Sequence, residues 1–550
     1  MDNSMNRRGL LRLAGMGALG LAASPLLSAC GGGSGGATGG DVSNAGKQLA
    51  PWPAYVPFAG PEPDAPGDAT GVQPLYLKYP ETLAQSVNDT VGDGSKVTAL
   101  VVTFGPPPAP LAQNQYWQAV NKALNVDLQV TVVPDPEYGQ KMTTLMASGS
   151  DLPDIIMFTN LALPHSLEFI QAQCADLSEF VAGDAVKQYP NLANIPTYAW
   201  QGMGRINGKL YGVPLERPMP ANSLFVNRTA MDEAGIPKEW TTEQYLEAMK
   251  ELSGDRKWGL GWYKTLFGGT SAATYHAGSL GAPNNWSVSG GQFISAMGTP
   301  QFEQALDVMR QLVEAKAVHP DSLTASSTDM QSYFHNGTVT SIQDGFGSMS
   351  LTTLTKINGR FELGMGYPYG PQATPSRSAG LFGYVTFKKA PADRIKLLLR
   401  ISDYLSAPFG SKEYEPANYG VEGVHFTKDD GGIKTLDLFQ TENNNTLPFR
   451  YIGTAPSVLY LPGYPDTAKA VHEWQQASLP RSVADPAVGL RSATQVSKGA
   501  QLNQILGDGI AAIVFGRKPM SAWKGIMTQW RNAGGDQVAA ELAKEYAAAQ

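Results

Sequence analysis

Val97-Thr98-Ala99-Leu100-Val101-Val102-Thr103-Phe104, stopped by Gly105-Pro106-Pro107-Pro108, is the stretch from which the fold can be read. A short apolar, β-branched run closed by glycine and prolines has the pattern of a buried strand. Tyr116, Val120 and Leu124 then recur at helical spacing, and Leu128 to Val133 reads as a second strand ended by Pro134. Tyr138 to Ala147 is helical, and Ile155 to Phe158 is a third apolar strand after Pro153-Asp154. Strand, helix, strand, helix, strand predicts an α/β lobe on a mainly parallel sheet.

Beyond residue 220 helices dominate. Thr241 stands as N-cap with Gln244 three places on, and Trp240 can staple onto Tyr245. Thr299-Pro300 opens another helix, whose Phe302, Leu306, Met309 and Val313 share one face. Trp523, Ile526, Met527 and Trp530 form a stripe closed by Gly534-Gly535. Trp240, Trp523 and Trp530 are therefore assigned to the core.

Upstream of the first strand the chain changes character. Arg7-Arg8 precede a short apolar run that ends in Leu27-Ser28-Ala29-Cys30. That order is a bacterial export signal with a lipobox, in which the Cys30 thiol receives a diacylglyceryl group before cleavage. The run falls short of the ~20 residues that span a bilayer. Arg7-Arg8-Gly9-Leu10-Leu11-Arg12 fits the pattern read by the exporter of folded proteins, although a general signal can also carry two arginines. Residues 31–40 are almost all Gly, Ser, Ala and Thr, and prolines recur from Pro51 to Pro74. Residues 31–90 thus read as a flexible tether, of which 31–74 reach roughly 35 Å as a coil.

Composition narrows the function. At 550 residues the chain is long enough for two or three lobes, and a net charge of −7 argues against a nucleic-acid partner. There are two cysteines, so once Cys30 is lipidated Cys174 has no disulfide partner within the chain. The sequence contains no His-Glu-x-x-His, Gly-x-Ser-x-Gly, phosphate loop or Asp-x-Asp-x-Asp-Gly calcium loop. The six histidines show no metal-ligand spacing, and no cofactor is implied. Ser521-Ala-Trp-Lys524 matches Ser-x-x-Lys but lacks a downstream Lys-Thr-Gly. Paired carboxylates for glycoside hydrolysis meet only in space, so a lipid-anchored carbohydrate-active enzyme stays open at this point.

Several segments together resemble the extracellular solute-binding proteins of ATP-driven importers, in the large sugar-binding family and its lipoprotein branch. Ala147-Ser148-Gly149-Ser150-Asp151-Leu152-Pro153-Asp154-Ile155-Ile156 resembles the family's Gly-x-x-Pro-Asp-Ile segment, and Ala175-Asp176-Leu177 follows. Lys209-Leu210-Tyr211-Gly212-Val213-Pro214 resembles its crossing strand. Phe225-Val226-Asn227, with Ala234-Gly235-Ile236-Pro237 and Trp240-Thr241, resembles the next run. Phe334-His335-Asn336-Gly337-Thr338-Val339, Tyr419 to His425, and Gly534 to Tyr546 continue the likeness in order.

The resemblance implies a two-lobed periplasmic-binding-protein-like fold of type II, each lobe a mainly parallel sheet flanked by helices, with hinge crossings and a ligand cleft between the lobes. By analogy the first lobe holds 91–212 and 374–410, and the helix-rich second lobe holds 213–373 and 411–550. The implied function is capture of an oligosaccharide for the permease of an importer, without catalysis, by a monomer lipid-anchored on the outer face of the cytoplasmic membrane. A peptide ligand is the alternative within binding proteins.

Sugars present C–H faces that stack on aromatic rings and hydroxyls that seek polar groups in a desolvated cleft. The candidate contacts are Phe158 and Asn160 after the third strand, Glu216 and Arg217 after the crossing strand, and Asp344 and Phe346 after the strand Val339 to Ile342. Trp262 and Trp286 join them from Gly- and Asn-rich loops, and Tyr414, Glu415 and Tyr419 from a further loop. At least one of Trp262 and Trp286 is expected to stack on a sugar ring.

Overall fold

The computed structural model describes residues 42–159, 163–367, 370–429, 432–443 and 446–549. The twin arginine, the lipobox with Cys30, and Asn160 lie outside the described residues. In chain order the strands of the two main sheets are β1 (Lys96–Thr103), β2 (Asp127–Pro134), β3 (Ile155–Phe158), β4 (Val213–Glu216), β5 (Asn222–Asn227), β6 (Trp258–Gly261), β7 (Val339–Gly345), β8 (Leu363–Met365) and β9 (Leu381–Phe387). The first sheet runs β2-β1-β3-β9-β4 and the second β8-β5-β7-β6.

The strand–helix alternation read from the sequence is present: β1 pairs in parallel with both β2 and β3. Both sheets are mainly parallel in strand direction, each with one strand reversed. β9 runs antiparallel to β3 and β4, and β5 antiparallel to β7 and β8. These two strands each follow a chain crossing from the other sheet, so they enter in the opposite sense.

Each sheet carries its own core. Tyr116, Val120 and Leu124 of the helix Gln115–Leu124 close over the first, with Ile395, Leu398 and Leu399 of Ala392–Leu405. Phe302, Leu306 and Met309 of Pro300–Glu314 pack with Trp240, Trp523 and Trp530 in the second. The local signals behave as their chemistry dictates. Thr241 and Gln244 form a reciprocal capping box, and Thr299 accepts the Phe302 N–H ahead of Pro300. Gly534 (φ 143°) kinks the chain between the helices Trp523–Trp530 and Asp536–Ala549. A Cβ on Gly535 would lie 2.4 Å from the Trp530 ring, so the pair permits a close turn rather than only ending a helix.

Two expected boundaries move. Val213–Glu216, placed in the second lobe, is an edge strand of the first sheet. Leu447, Phe449, Tyr451 and Ile452 also belong to the first core, and the chain enters the second only near Leu459. Downstream of β1, three connections among the described residues therefore cross between the two main cores, at 217–221, 366–380 and 453–458. The first two pair with each other, through Arg217 N–H to the Gly380 carbonyl (3.0 Å) and Ser378 N–H to that of Met219 (2.8 Å).

The expected tether is corrected from residue 42 onward. The chain lies as an extended strap whose Ala50, Ala54 and Val56 N–H groups donate to the carbonyls of Gly208, Gly183 and Ala193. The Arg205 guanidinium sits 3.5 Å over the Trp52 ring. Further on, Gln73 and Gln475 exchange hydrogen bonds, Leu75 pairs with Leu459, and Tyr79 enters a small third core with Phe409 and Phe426. Frequent prolines favour extended backbone, which suits a ribbon laid in a groove as well as a free linker. Composition does not separate the two; the buried aromatic anchors do.

One buried acid makes stability depend on pH. Asp403, 4 % exposed, accepts the N–H groups of Asn191 (2.8 Å) and Leu192 (3.0 Å) at the start of the helix Pro190–Ala193. Burial raises its pKa from 3.8 to about 7, against the pull of those two hydrogen bonds. Between these values the folded state keeps a proton that the unfolded chain has lost. The stability contributed by this group is therefore present at pH 4 and is lost as pH rises through 7. Asp403→Asn keeps an oxygen for both N–H groups and has no proton to lose. Its urea midpoint relative to the parent should climb between pH 4.5 and 8; parallel profiles would contradict the assignment.

Candidate functional site

Where the C-terminal ends of β1 and β7 meet the crossings, the structure leaves a cavity of about 1240 Å³. Open α/β sheets bind ligands at such strand ends. One wall comes from the first core: Phe104, Phe382, Arg450 and Tyr451, with Arg217 just beyond β4. Phe382 and Tyr451 are stacked, 5.2 Å apart at 23°, and Phe104 meets Phe382 edge-on at 5.9 Å. The other wall comes from the second core: Tyr263, Asp344, Phe346 and Trp474. Here Phe346 and Trp474 stack at 5.8 Å and 9°. Two aromatic platforms thus belong to one cavity.

The polar groups between them are well organised. Asp344 accepts from Tyr263 Oη (2.9 Å), Gln331 Nε2 (2.8 Å), Ser348 Oγ (2.8 Å) and the Gly345 N–H (2.8 Å). Asp485 accepts from the Ala487 N–H and Asn285 Nδ2, and burial pushes its pKa up to about 6. Arg377 braces the floor, donating to Ser482 Oγ (3.0 Å) and to the carbonyls of Leu479 and Ser482. Among the described residues no group of three or more His, Cys, Asp and Glu could hold a metal ion.

Of the residues proposed from sequence, Arg217, Asp344, Phe346 and Tyr414 line the cavity. Glu216 lies one step behind it, 1 % exposed, because successive strand residues face opposite ways. Phe158 is fully buried and stacked on Tyr384 at 5.8 Å, as follows for a strand covered on both faces. Glu415 is paired with Lys428 at 2.5 Å, and Tyr419 packs on Tyr79 and Phe426 in the third core.

The tryptophan expectation is overturned in location: neither Trp262 nor Trp286 lines the cavity. Trp262 has no exposed surface; its Nε1–H donates to Gln343 Oε1 (3.1 Å), and Phe267 and His276 meet its ring edge-on. A Cβ on the neighbouring Gly261 would lie 2.5 Å from Met330 Sδ. There glycine permits tight packing. Trp286 opens the hairpin Trp286–Ser289/Gln292–Ser295 and rests on Phe293 and Trp530.

Phe382, Arg377, Arg450, Tyr451 and Trp474 were missed. The available local signal was arginine beside an aromatic at Arg450-Tyr451, and it means little until the crossing that follows is known.

This architecture agrees with the comparisons. Residues 108–399, more than half of the chain, match the bacterial extracellular solute-binding protein family. The chain belongs to that family. The polygalacturonan/rhamnogalacturonan-binding protein YtcQ of Bacillus subtilis is 23% identical over 452 residues, covering 78% of this chain and 87% of its own. Lipoprotein LipO of the same organism is 22% identical over 504 residues, covering 86% and 97%. A solved extracellular solute-binding protein from Bifidobacterium longum subsp. infantis superposes with a TM-score of 0.64 at 13% identity, covering 83% of this chain and 98% of that one. The family is one of type II periplasmic-binding-protein-like folds, and its members bind solutes rather than transform them. Among the described residues no helix is long and apolar enough to cross a membrane.

For this solute-binding protein, Trp262→Ala should cost about 3–5 kcal/mol in stability by urea denaturation, as loss of a core indole does. A loss under about 1 kcal/mol would place the ring outside the core.

Proposed function

We propose that the protein captures an oligosaccharide outside the cell and passes it to the permease of an ATP-driven importer, held at the membrane by a lipid on Cys30. The observation that carries this reading is the pair of aromatic platforms, Phe382–Tyr451 and Phe346–Trp474, lining one large cavity. Stacked rings suit the apolar faces of pyranoses, and the Asn, Ser and Thr side chains around them suit their hydroxyls. A volume above the ~300–1,000 Å³ of ordinary small-molecule pockets favours several linked sugars over one. The YtcQ relative, named for binding polygalacturonan and rhamnogalacturonan, supports the same ligand class.

Asp344 is committed to four donors, which makes it an organising acceptor rather than an acid or nucleophile. Capture then works through the lobes: a ligand that gains more contacts in the closed arrangement shifts the population toward it.

Incubation with a panel of oligosaccharides should raise the melting temperature with at least one of them and leave that sugar unchanged by chromatography. New reducing ends would overturn the reading. Cys30→Ala should release a folded protein from the membrane fraction, because the lipid is the proposed anchor. Retention of that variant through a high-salt wash would show a different attachment.

A further inference from the structure

Part of the cavity wall comes from outside the segment that matches the family. Gln73 borders the cavity, yet it belongs to the N-terminal strap, upstream of residues 108–399. A small hairpin brings it there. Ala65 and Leu75 exchange backbone hydrogen bonds (3.4 and 2.9 Å). Between them the Asp68 carboxylate takes the N–H groups of Thr70 (2.8 Å) and Val72 (3.1 Å) and the Thr70 hydroxyl (2.6 Å), which fixes the turn. Gly71, at φ 98°, presses on the first crossing so closely that a Cβ there would lie 2.2 Å from Met219 Cγ. Val72 packs with the same Met219 and with Leu479, just past the helix Pro465–Ser478. The hairpin is thus wedged between a crossing and a helix end, and Gln73 follows directly.

The backbone settles which way the Gln73 amide faces. A backbone N–H can only donate, so the Gln475 atom that the Gln73 N–H meets at 2.9 Å is the oxygen. The other end of the Gln475 amide is then an NH2 that must donate, and the Gln73 atom 2.9 Å from it is Oε1. Gln475 has no exposed surface, so it serves the strap alone. Gln73 Nε2 is left over. It makes no hydrogen bond among the described residues and keeps accessible surface, in a residue only 7 % exposed that borders the cavity. Its two N–H groups therefore face the cavity.

Trp474, the residue before Gln475 on the same helix, also lines the cavity and is stacked on Phe346. Successive helix residues thus hold an aromatic platform and, through the strap, a free amide donor. An apolar surface beside a donor of fixed direction is the pair of contacts that a sugar ring with its hydroxyls asks for. Because the amide is fixed before any ligand arrives, little ordering cost is left to offset the bond it makes.

We propose that Gln73 is a sugar contact supplied by the strap: its Nε2 donates to a hydroxyl of the ring that rests against Phe346 and Trp474, with Gln475 as its positioning residue. This rests on the reading of the cavity as an oligosaccharide site and extends that site to the segment that leads from the proposed lipid anchor. Strap and sugar then hold each other. Lifting the strap breaks a bond to the sugar, so bound sugar opposes the lifting to the same degree.

The test is calorimetric titration of the mature protein with trisaccharides of galactose, mannose, glucose and galacturonic acid, then with the monodeoxy derivatives of the tightest binder. Gln73→Met should weaken that trisaccharide about 2- to 10-fold, the range of one neutral hydrogen bond. One monodeoxy derivative should bind the unaltered protein more weakly by a similar factor and should escape the loss in the variant, because both changes remove the same bond. A side chain that merely fastens the strap would weaken every derivative by one common factor. That uniform loss, or no loss, overturns the proposal and leaves the oligosaccharide reading standing. Hydrogen exchange on the unaltered protein decides the matter where the variant fails to fold. The bound trisaccharide should slow the amides of residues 72–76 several-fold, and unchanged exchange there beside slowing elsewhere around the cavity overturns the proposal. Binding of none of the four sugars overturns both readings.

Discussion

A buried carboxylate fastens the crossings on which the two cores depend. Glu216 ends the first crossing strand, and its oxygens take hydrogen bonds from Tyr198 of the first core and from both the N–H and hydroxyl of Ser457 in the third crossing. Burial raises its pKa, and those three bonds oppose the shift. Removing a charge from water costs several kcal/mol, so the group is tolerated only where its lone pairs are filled. The connections 217–221 and 453–458 are thereby tied at one point, beside the backbone pairing of 217–221 with 376–380. Everything that lines the cavity is positioned relative to that knot.

From it the strand's alternation sends Glu216 inward and Arg217 outward. One dipeptide therefore supplies both a structural anchor and a half-buried cation of the cavity wall. The two aromatic platforms divide by origin. Phe382 and Tyr451 flank crossings in the first core, whereas Phe346 and Trp474 ride on the second. A ligand that stacks on both is a ligand that joins the lobes, which couples binding to closure without any further device.

The N-terminal strap adds a constraint of the same kind. It touches the first core at Trp52, the second at Leu75 and the third at Tyr79. Asn44 donates to Glu545 of the last helix and to the Arg205 carbonyl, and accepts from the Gly208 N–H. The strap and the last helix are thus held together at the first core's surface, so the strap belongs to the body as firmly as the helices do.

Sequence alone determined the elements whose signals are local. The runs Val97 to Phe104, Leu128 to Val133 and Ile155 to Phe158 became parallel strands because β-branched, apolar residues between breakers have few other uses. Thr241 and Thr299 started helices because their hydroxyls satisfy N–H groups within three residues. The order of family segments carried the fold class. Tertiary structure alone decided what each aromatic and each charge faces. Trp262 and Phe158 look like ligand platforms until the packing that covers them is seen, whereas Phe382, Tyr451 and Trp474 are packed with the cores and also border the cavity. The prolines of residues 51–74 fit a leash and a strap equally, since both need extended backbone. Burial and opposition across a cleft are set by residues hundreds of positions apart, so no local pattern can encode them.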